Sequence, residues 1–139
     1  MSPDEIWSVQ DTFAAVAANS EKVADLFYTR LFEIAPEVRP LFRNDMKAQG
    51  MKLMSALTLV VQSLGHLESI LPVARKLAID HVSYGVEARH YPIVGEALIW
   101  TLDKGLGKAF TDDVREAWQK AYGLLSAAMT EAAYPGAKS

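Results

Sequence analysis

Apolar side chains return every three or four residues along almost the whole chain, and no run alternates long enough to read as a strand. The longest such stripe is Val114, Ala117, Trp118, Ala121, Tyr122, Leu125, Ala128, Met129 and Ala132; another carries Leu53, Leu57, Val60, Val61 and Leu64. Residues three and four apart share one face of a helix, so each stripe predicts an amphipathic helix turned toward a core. The fold class that follows is all-α. With 139 residues there is room for one such core, and no repeat, linker or low-complexity tract divides it. The expectation is a single domain over 1–139, with about 134–139 as a flexible tail after Pro135-Gly136.

Punctuation residues divide the pattern. Ser2-Pro3-Asp4-Glu5 supplies a cap, a proline at the first helical position and two acids for the first turn, opening a helix with Ile6, Val9, Phe13, Ala14 and Val16 inward. Asn19-Ser20-Glu21 offers polar capping to a second helix bearing Val23, Leu26, Phe27, Leu31 and Phe32, which ends before Pro36. A short turn pinned by Pro36 and Pro40 follows, and a long helix begins between Asp45 and Gln49 and breaks at Gly65-His66. From about Pro72 a shorter helix aligns Val73, Leu77 and His81, with Gly85 as its stop. Pro92 opens the next, with Val94, Ala97, Leu98 and Thr101 inward; Gly105 and Gly107 mark the turn after it, and Thr111-Asp112-Asp113 caps the last. Trp7, Trp100 and Trp118 read as packing residues.

Composition excludes several chemistries. The chain has no cysteine, which removes thiolate nucleophiles, disulfides, thiolate zinc sites, iron–sulfur clusters and covalent haem attachment. A net charge of −3 offers no basic excess for phosphates, so no nucleic-acid partner is expected. The first residues show neither a basic leader nor an apolar run, and the expectation is a cytoplasmic protein without a membrane segment. No glycine-rich nucleotide loop and no paired-carboxylate site is visible.

What remains is His81. An apolar stripe ends at an imidazole, a glycine stops the helix and a proline starts the next, an arrangement suited to presenting a ligand to a buried iron. A histidine that merely satisfies a helical core gives the same local pattern.

The wider set of residues resembles the bacterial single-domain globins and the globin half of flavohaemoglobins. The likeness runs from about Phe27 to Met129. It rests on Phe27-Tyr28 with Leu31-Phe32, on Pro36-Glu37-Val38-Arg39-Pro40-Leu41-Phe42, on Leu71-Pro72, on His81 with Gly85-Val86, on His90-Tyr91-Pro92-Ile93-Val94-Gly95, and on Ala117-Trp118 with Lys120-Ala121-Tyr122-Gly123. Singly these are common; their order and spacing are specific. The resemblance implies a globin fold, a three-over-three helical sandwich around haem with a short or absent fourth helix. It implies His81 as the iron ligand on the proximal side, with Phe42, Leu53, Leu57, Leu77, Val86, Tyr91 and Val94 around a non-covalent haem b. On the distal side it implies Tyr28 and Gln49 as donors to a bound ligand, with Gln49 and Leu53 four apart on one helix face. Tyr91 matches a family residue paired with the proximal histidine. The glutamate that completes that pairing in flavohaemoglobins falls here on Ala133, and Glu131 is displaced from it by about 200° of helix rotation. The connection from Phe42 to Gln49 is also shorter than the family's.

The implied function is reversible binding of dioxygen at ferrous iron, with nitric oxide and carbon monoxide as further small ligands. Nitric-oxide dioxygenation by a separate reductase's electrons follows from the same likeness. A gas or redox sensor acting through a protein partner, a weak haem peroxidase, and a helical interaction module without haem are the alternatives. The family implies a monomer or a homodimer. Bound dioxygen draws charge from iron, so hydroxyl and amide donors stabilise it more than they do carbon monoxide. His66 reads as solvated, His90 as a candidate contact at the haem edge, and Lys52 and Arg89 as candidate partners of haem propionates.

Overall fold

The computed structural model describes residues 1–42, 45–83, 87 and 89–133, and among them six α-helices and three short 3-10 segments carry nearly all of the chain. Helix α1 (Pro3–Ala17) starts on a complete capping box. The Ser2 hydroxyl accepts from the Glu5 amide at 3.2 Å and the Glu5 carboxylate accepts from the Ser2 amide at 2.8 Å, satisfying two donors that a helix start otherwise leaves open. Helix α2 (Ser20–Ile34) differs from expectation: Asn19 occupies the capping position but its side chain makes no capping bond. A 3-10 segment, Pro36–Leu41, follows as the prolines predict.

Helix α3 (Met46–Gln62) is capped by Asp45, whose carboxylate accepts from the Lys47 amide at 3.3 Å. Leu64 falls just past its end, in the 3-10 segment Leu64–Ile70, yet stays buried. Helix α4 (Leu71–Ser83) leads toward residues 84–86, so the expected stop at Gly85 lies outside the described residues. Helix α5 (His90–Leu106) begins two residues before Pro92 and runs through Gly105. It stops at Gly107, whose φ of 58° suits a residue without a Cβ. Helix α6 (Asp112–Ala133) takes its cap from Thr111, whose hydroxyl accepts from the Val114 amide at 3.3 Å. No described helix is long and apolar enough to cross a membrane.

The buried apolar residues form two bodies. The larger joins α1, α2, α3, α5 and α6 through Val9, Phe13, Phe27, Leu31, Leu102 and Trp118 among others. Its one buried indole is satisfied: the Trp118 N–H donates to the Thr12 hydroxyl at 2.9 Å, which itself donates to the Ser8 carbonyl at 2.6 Å. The smaller body gathers Ala74 and Ala78 of α4, Tyr91 of α5 and Met129 of α6, with Leu77, Leu125 and Ala132 at its edge. Helix α4 packs chiefly on α6, and α3 packs chiefly on α2, while α3 and α4 share no comparable contact. The two helices thus serve as two walls, each bordering a different part of the core.

Three expectations about inward faces are corrected. Val73 is 45% exposed and Trp7 is 65% exposed, and Ala14 also lies on the surface. The reason is helix rotation. Helix α4 meets α6 through Ala74 and Ala78, small residues that allow close approach, so its buried line passes one residue beyond Val73. In α1 the buried line is Val9, Thr12, Phe13 and Val16, and Trp7 stands about 200° around the helix from Val9.

Candidate functional site

On the α4 wall, the His81 ring is half-buried and its Nδ1 lies 2.6 Å from the Leu77 carbonyl oxygen. A carbonyl only accepts, so Nδ1 carries a proton, and in the neutral ring the lone pair is on Nε2. The partner is four residues back on the same helix, so α4 itself fixes the tautomer and the plane of the ring. Leu77 also edges the smaller core body, beside Tyr91. Tyr91 is held from behind: the Tyr122 hydroxyl donates to its main-chain carbonyl at 2.6 Å. Burial, with Tyr91 nearby, pushes the Tyr122 phenol well above its ordinary range, so it remains a donor.

Within the larger core body, α2 and the turn after it build an aromatic cage around Tyr28. Its ring centroid lies 5.0 Å from Phe27 and 5.3 Å from Phe42, both edge-on, and 6.0 Å from Phe32, stacked. Phe32 and Phe42 also meet edge-on at 5.4 Å, geometries favoured by the ring quadrupole. The Tyr28 hydroxyl donates to the main-chain carbonyl of Gln49 at 3.3 Å. Burial pushes the Tyr28 phenol up to about 12, so at neutral pH it is a neutral donor.

The structure therefore brings Tyr28, Phe42 and Gln49 together on one wall, and Leu77, His81 and Tyr91 together on the other. Leu53 and Leu57 on α3 and Val94 on α5 are only partly covered, and all three edge the larger core body. A small apolar cavity of about 20 Å³ runs on from Leu57 between α3, α5 and α6, bounded by Leu98 and Leu125. Val86 lies outside the described residues. Gln49 meets Tyr28 through its backbone, a contact that the side-chain reading of Gln49 does not contain. Glu131 sits on the exposed face of α6, while Met129 and Ala132 join the body that holds Tyr91.

The secondary candidates sort themselves by burial. His66 is exposed, as expected. His90 is 4% exposed, and its Nδ1 accepts from the Glu87 amide at 2.9 Å, so it closes the start of α5. Arg89 pairs with Glu87 at 3.3 Å and Lys52 is exposed.

Two glycines shape the site through packing that the sequence does not show, Gly50 and the Gly95 that ends the His90–Gly95 motif. A Cβ at Gly50 would lie 3.0 Å from the Ala24 Cβ, so this glycine lets α3 approach α2 one turn from Tyr28. A Cβ at Gly95 would lie 2.6 Å from Cε2 of Tyr122, so this one admits the ring whose hydroxyl holds the Tyr91 backbone. A glycine inside a helical stripe is the available signal, since it costs about 1 kcal/mol there unless packing needs it.

Comparison with known proteins identifies the fold. Residues 25–129 match the family model described as Globin. The flavohemoprotein of Halalkalibacterium halodurans is 35% identical over 121 residues, covering 85% of this chain and 29% of that protein. The chain thus spans under a third of the length of the curated flavohemoproteins it matches, 29–32% of those most similar. Among solved structures, a bacterial globin from Campylobacter jejuni superposes with a TM-score of 0.85 at 27% identity, covering 96% of this chain and 97% of that one. An engineered carbene transferase from Rhodothermus marinus, itself a candidate nitric oxide dioxygenase, superposes with a TM-score of 0.87 at 28% identity, covering 97% and 94%. An all-helical fold among the described residues, a superposition on a bacterial globin and a family match over residues 25–129 lead to one conclusion: this chain is a member of the globin family.

Proposed function

We propose that the chain binds a non-covalent haem between α3 and α4, with His81 Nε2 on the iron, and holds dioxygen reversibly. The residues fit such a group by the chemistry of the donor set. Among the described residues no three His, Asp or Glu side chains gather to hold a bare metal ion, so a metal at His81 needs most of its ligands from something other than protein. A macrocycle supplies them, and the partly covered faces of Phe42, Leu53, Leu57, Leu77 and Val94 offer apolar surface for its edges. When bound, haem would supply a ferrous iron able to take up a diatomic ligand.

The observation that carries the reading is the 2.6 Å contact from His81 Nδ1 to the Leu77 carbonyl. In the neutral ring it leaves the Nε2 lone pair free and oriented, the form that metal-bound imidazoles take when their other nitrogen is hydrogen-bonded. Tyr28 complements it on the far wall. Its neutral hydroxyl favours a ligand that develops negative charge, by more than the about 0.5–1.5 kcal/mol of a neutral pair.

The same pocket supports nitric-oxide dioxygenation, with electrons from a reductase, as the likeness to flavohemoproteins suggests. A carbonyl acceptor for Nδ1 pushes less electron density toward iron than a carboxylate does, so peroxide cleavage is expected to be slow. The test is to mix the oxygenated protein with nitric oxide. Stoichiometric nitrate, with steady turnover only when a reductase is added, is the expected result; slow decay without nitrate would remove the dioxygenase reading.

A further inference from the structure

We propose that the single proton of the Tyr28 hydroxyl is shared between the Gln49 main-chain carbonyl and a diatomic ligand in the site, and that the Gly50–Ala24 contact sets the balance between them. This rests on the haem reading above. Ala24 and Tyr28 are four residues apart on α2, one turn from each other on the same face. Gln49 and Gly50 are neighbours on α3.

Ala24 is 3% exposed and Gly50 is buried, and a Cβ on Gly50 would stand 3.0 Å from the Ala24 Cβ. The two helices therefore approach about as closely as one methyl allows. That approach is what brings the Gln49 carbonyl to 3.3 Å from the Tyr28 oxygen. The distance lies beyond the about 2.5–3.0 Å usual for a hydroxyl donor to oxygen, so the bond is weak. It is enough to aim the O–H, yet weak enough for a partly charged acceptor to take the proton over.

The ring itself has little room to choose. Phe27, Phe32 and Phe42 surround it at centroid distances of 5.0, 6.0 and 5.3 Å. Rotation of the hydroxyl about its C–O bond remains, and that rotation selects between the carbonyl and the ligand. Gly50 touches neither, so it is a positioning residue. An added methyl there pushes α3 off α2, lengthens the bond to Gln49 and leaves the proton to the ligand.

Dioxygen dissociation and the infrared stretch of the ferrous carbonyl test this in four proteins: unaltered, Gly50→Ala, Tyr28→Phe and the double variant. Gly50→Ala is expected to slow dissociation about two- to tenfold, the span of one modest hydrogen bond, and to lower the carbonyl stretch. With Tyr28→Phe present, Gly50→Ala should do nothing to either. Adding Ala24→Gly to Gly50→Ala should restore the original rate. Should Gly50→Ala fail to fold, Ala24→Gly alone carries the test, because closer approach strengthens the bond to Gln49 and speeds dissociation. An equal effect of Gly50→Ala with and without the Tyr28 hydroxyl overturns the proposal, as does an unchanged rate and stretch in the folded variant. If the unaltered protein takes up no haem, that failure belongs to the haem reading and removes both.

Discussion

The two walls of the site are built by different means. On the α4 wall, His81 is oriented by a carbonyl one turn back on its own helix, and α4 rests on α6 through alanines. On the opposite wall, Tyr28 is oriented by three other aromatic rings and by a carbonyl on another helix. The imidazole therefore keeps its geometry as long as α4 is helical. The phenol keeps its geometry only as long as α2, α3 and the Pro36–Leu41 segment hold their mutual positions. A ligand to iron tolerates no change of tautomer, whereas a donor that tunes affinity gains from being adjustable, and the construction of each wall matches its proposed task.

The largest expected effect comes from disturbing the support behind the α4 wall. Gly95→Ala places a methyl 2.6 Å from the Tyr122 ring, and overpacking of this kind costs about 1–3 kcal/mol. Chemical denaturation should show that loss, together with a weakened bond from Tyr122 to the Tyr91 carbonyl, while the carbonyl stretch that reports on Tyr28 stays in place. A stretch that moves as much as the stability falls would mean that the walls are not independent.

Next is the distal donor. Tyr28→Phe should speed dioxygen dissociation by about tenfold, near 1.4 kcal/mol for one strong hydrogen bond, and leave the iron–histidine stretch of the ferrous form unchanged. A shifted iron–histidine stretch would join the two walls.

How much of this the sequence shows depends on how local each interaction is. The helices, the capping box at Ser2 and the Leu77–His81 spacing are legible because all lie within one turn of chain. The Tyr28–Gln49 bond spans 21 residues and the Trp118–Thr12 bond spans 106, and no periodicity announces either. Gly50 and Gly95 read as blemishes in helical stripes until their neighbours, Ala24 and Tyr122, are known. The exposed Val73 and Trp7 teach the same lesson: a stripe gives a face, and the packing partner decides which line of that face is buried. Proline punctuation at Pro36 was reliable because its missing N–H acts on the chain itself, whereas the cap expected from Asn19 depended on a side-chain rotamer.

Titration separates the regions further. The Tyr28 phenol is raised to about 12 from 10.0 by burial. Its contribution to folding is complete below pH 10 and is lost as pH rises through about 12. Alkaline unfolding followed by circular dichroism should therefore shift in Tyr28→Phe, and in Tyr122→Phe at a still higher pH, because burial raises the phenol behind the α4 wall further. The smallest effect lies away from both walls. The hydrogen bond from Lys120, on α6, and after it the one from the Ser2 amide hold the Glu5 carboxyl down at about 2 from 4.5, and that carboxyl holds the Lys120 ammonium up. Stability from Glu5 is present above pH 4.5 and disappears as pH falls toward about 2. Glu5→Gln should flatten the acid limb of melting temperature against pH and change no ligand-binding constant.

The most direct test of the account is the optical spectrum of the protein after addition of haem, ferric, ferrous and carbonyl, in the unaltered chain and in His81→Ala. The account predicts a Soret band of a histidine-bound haem in the first, its loss in the second, and its return when imidazole is supplied. A His81→Ala protein whose three spectra match those of the unaltered chain would contradict it.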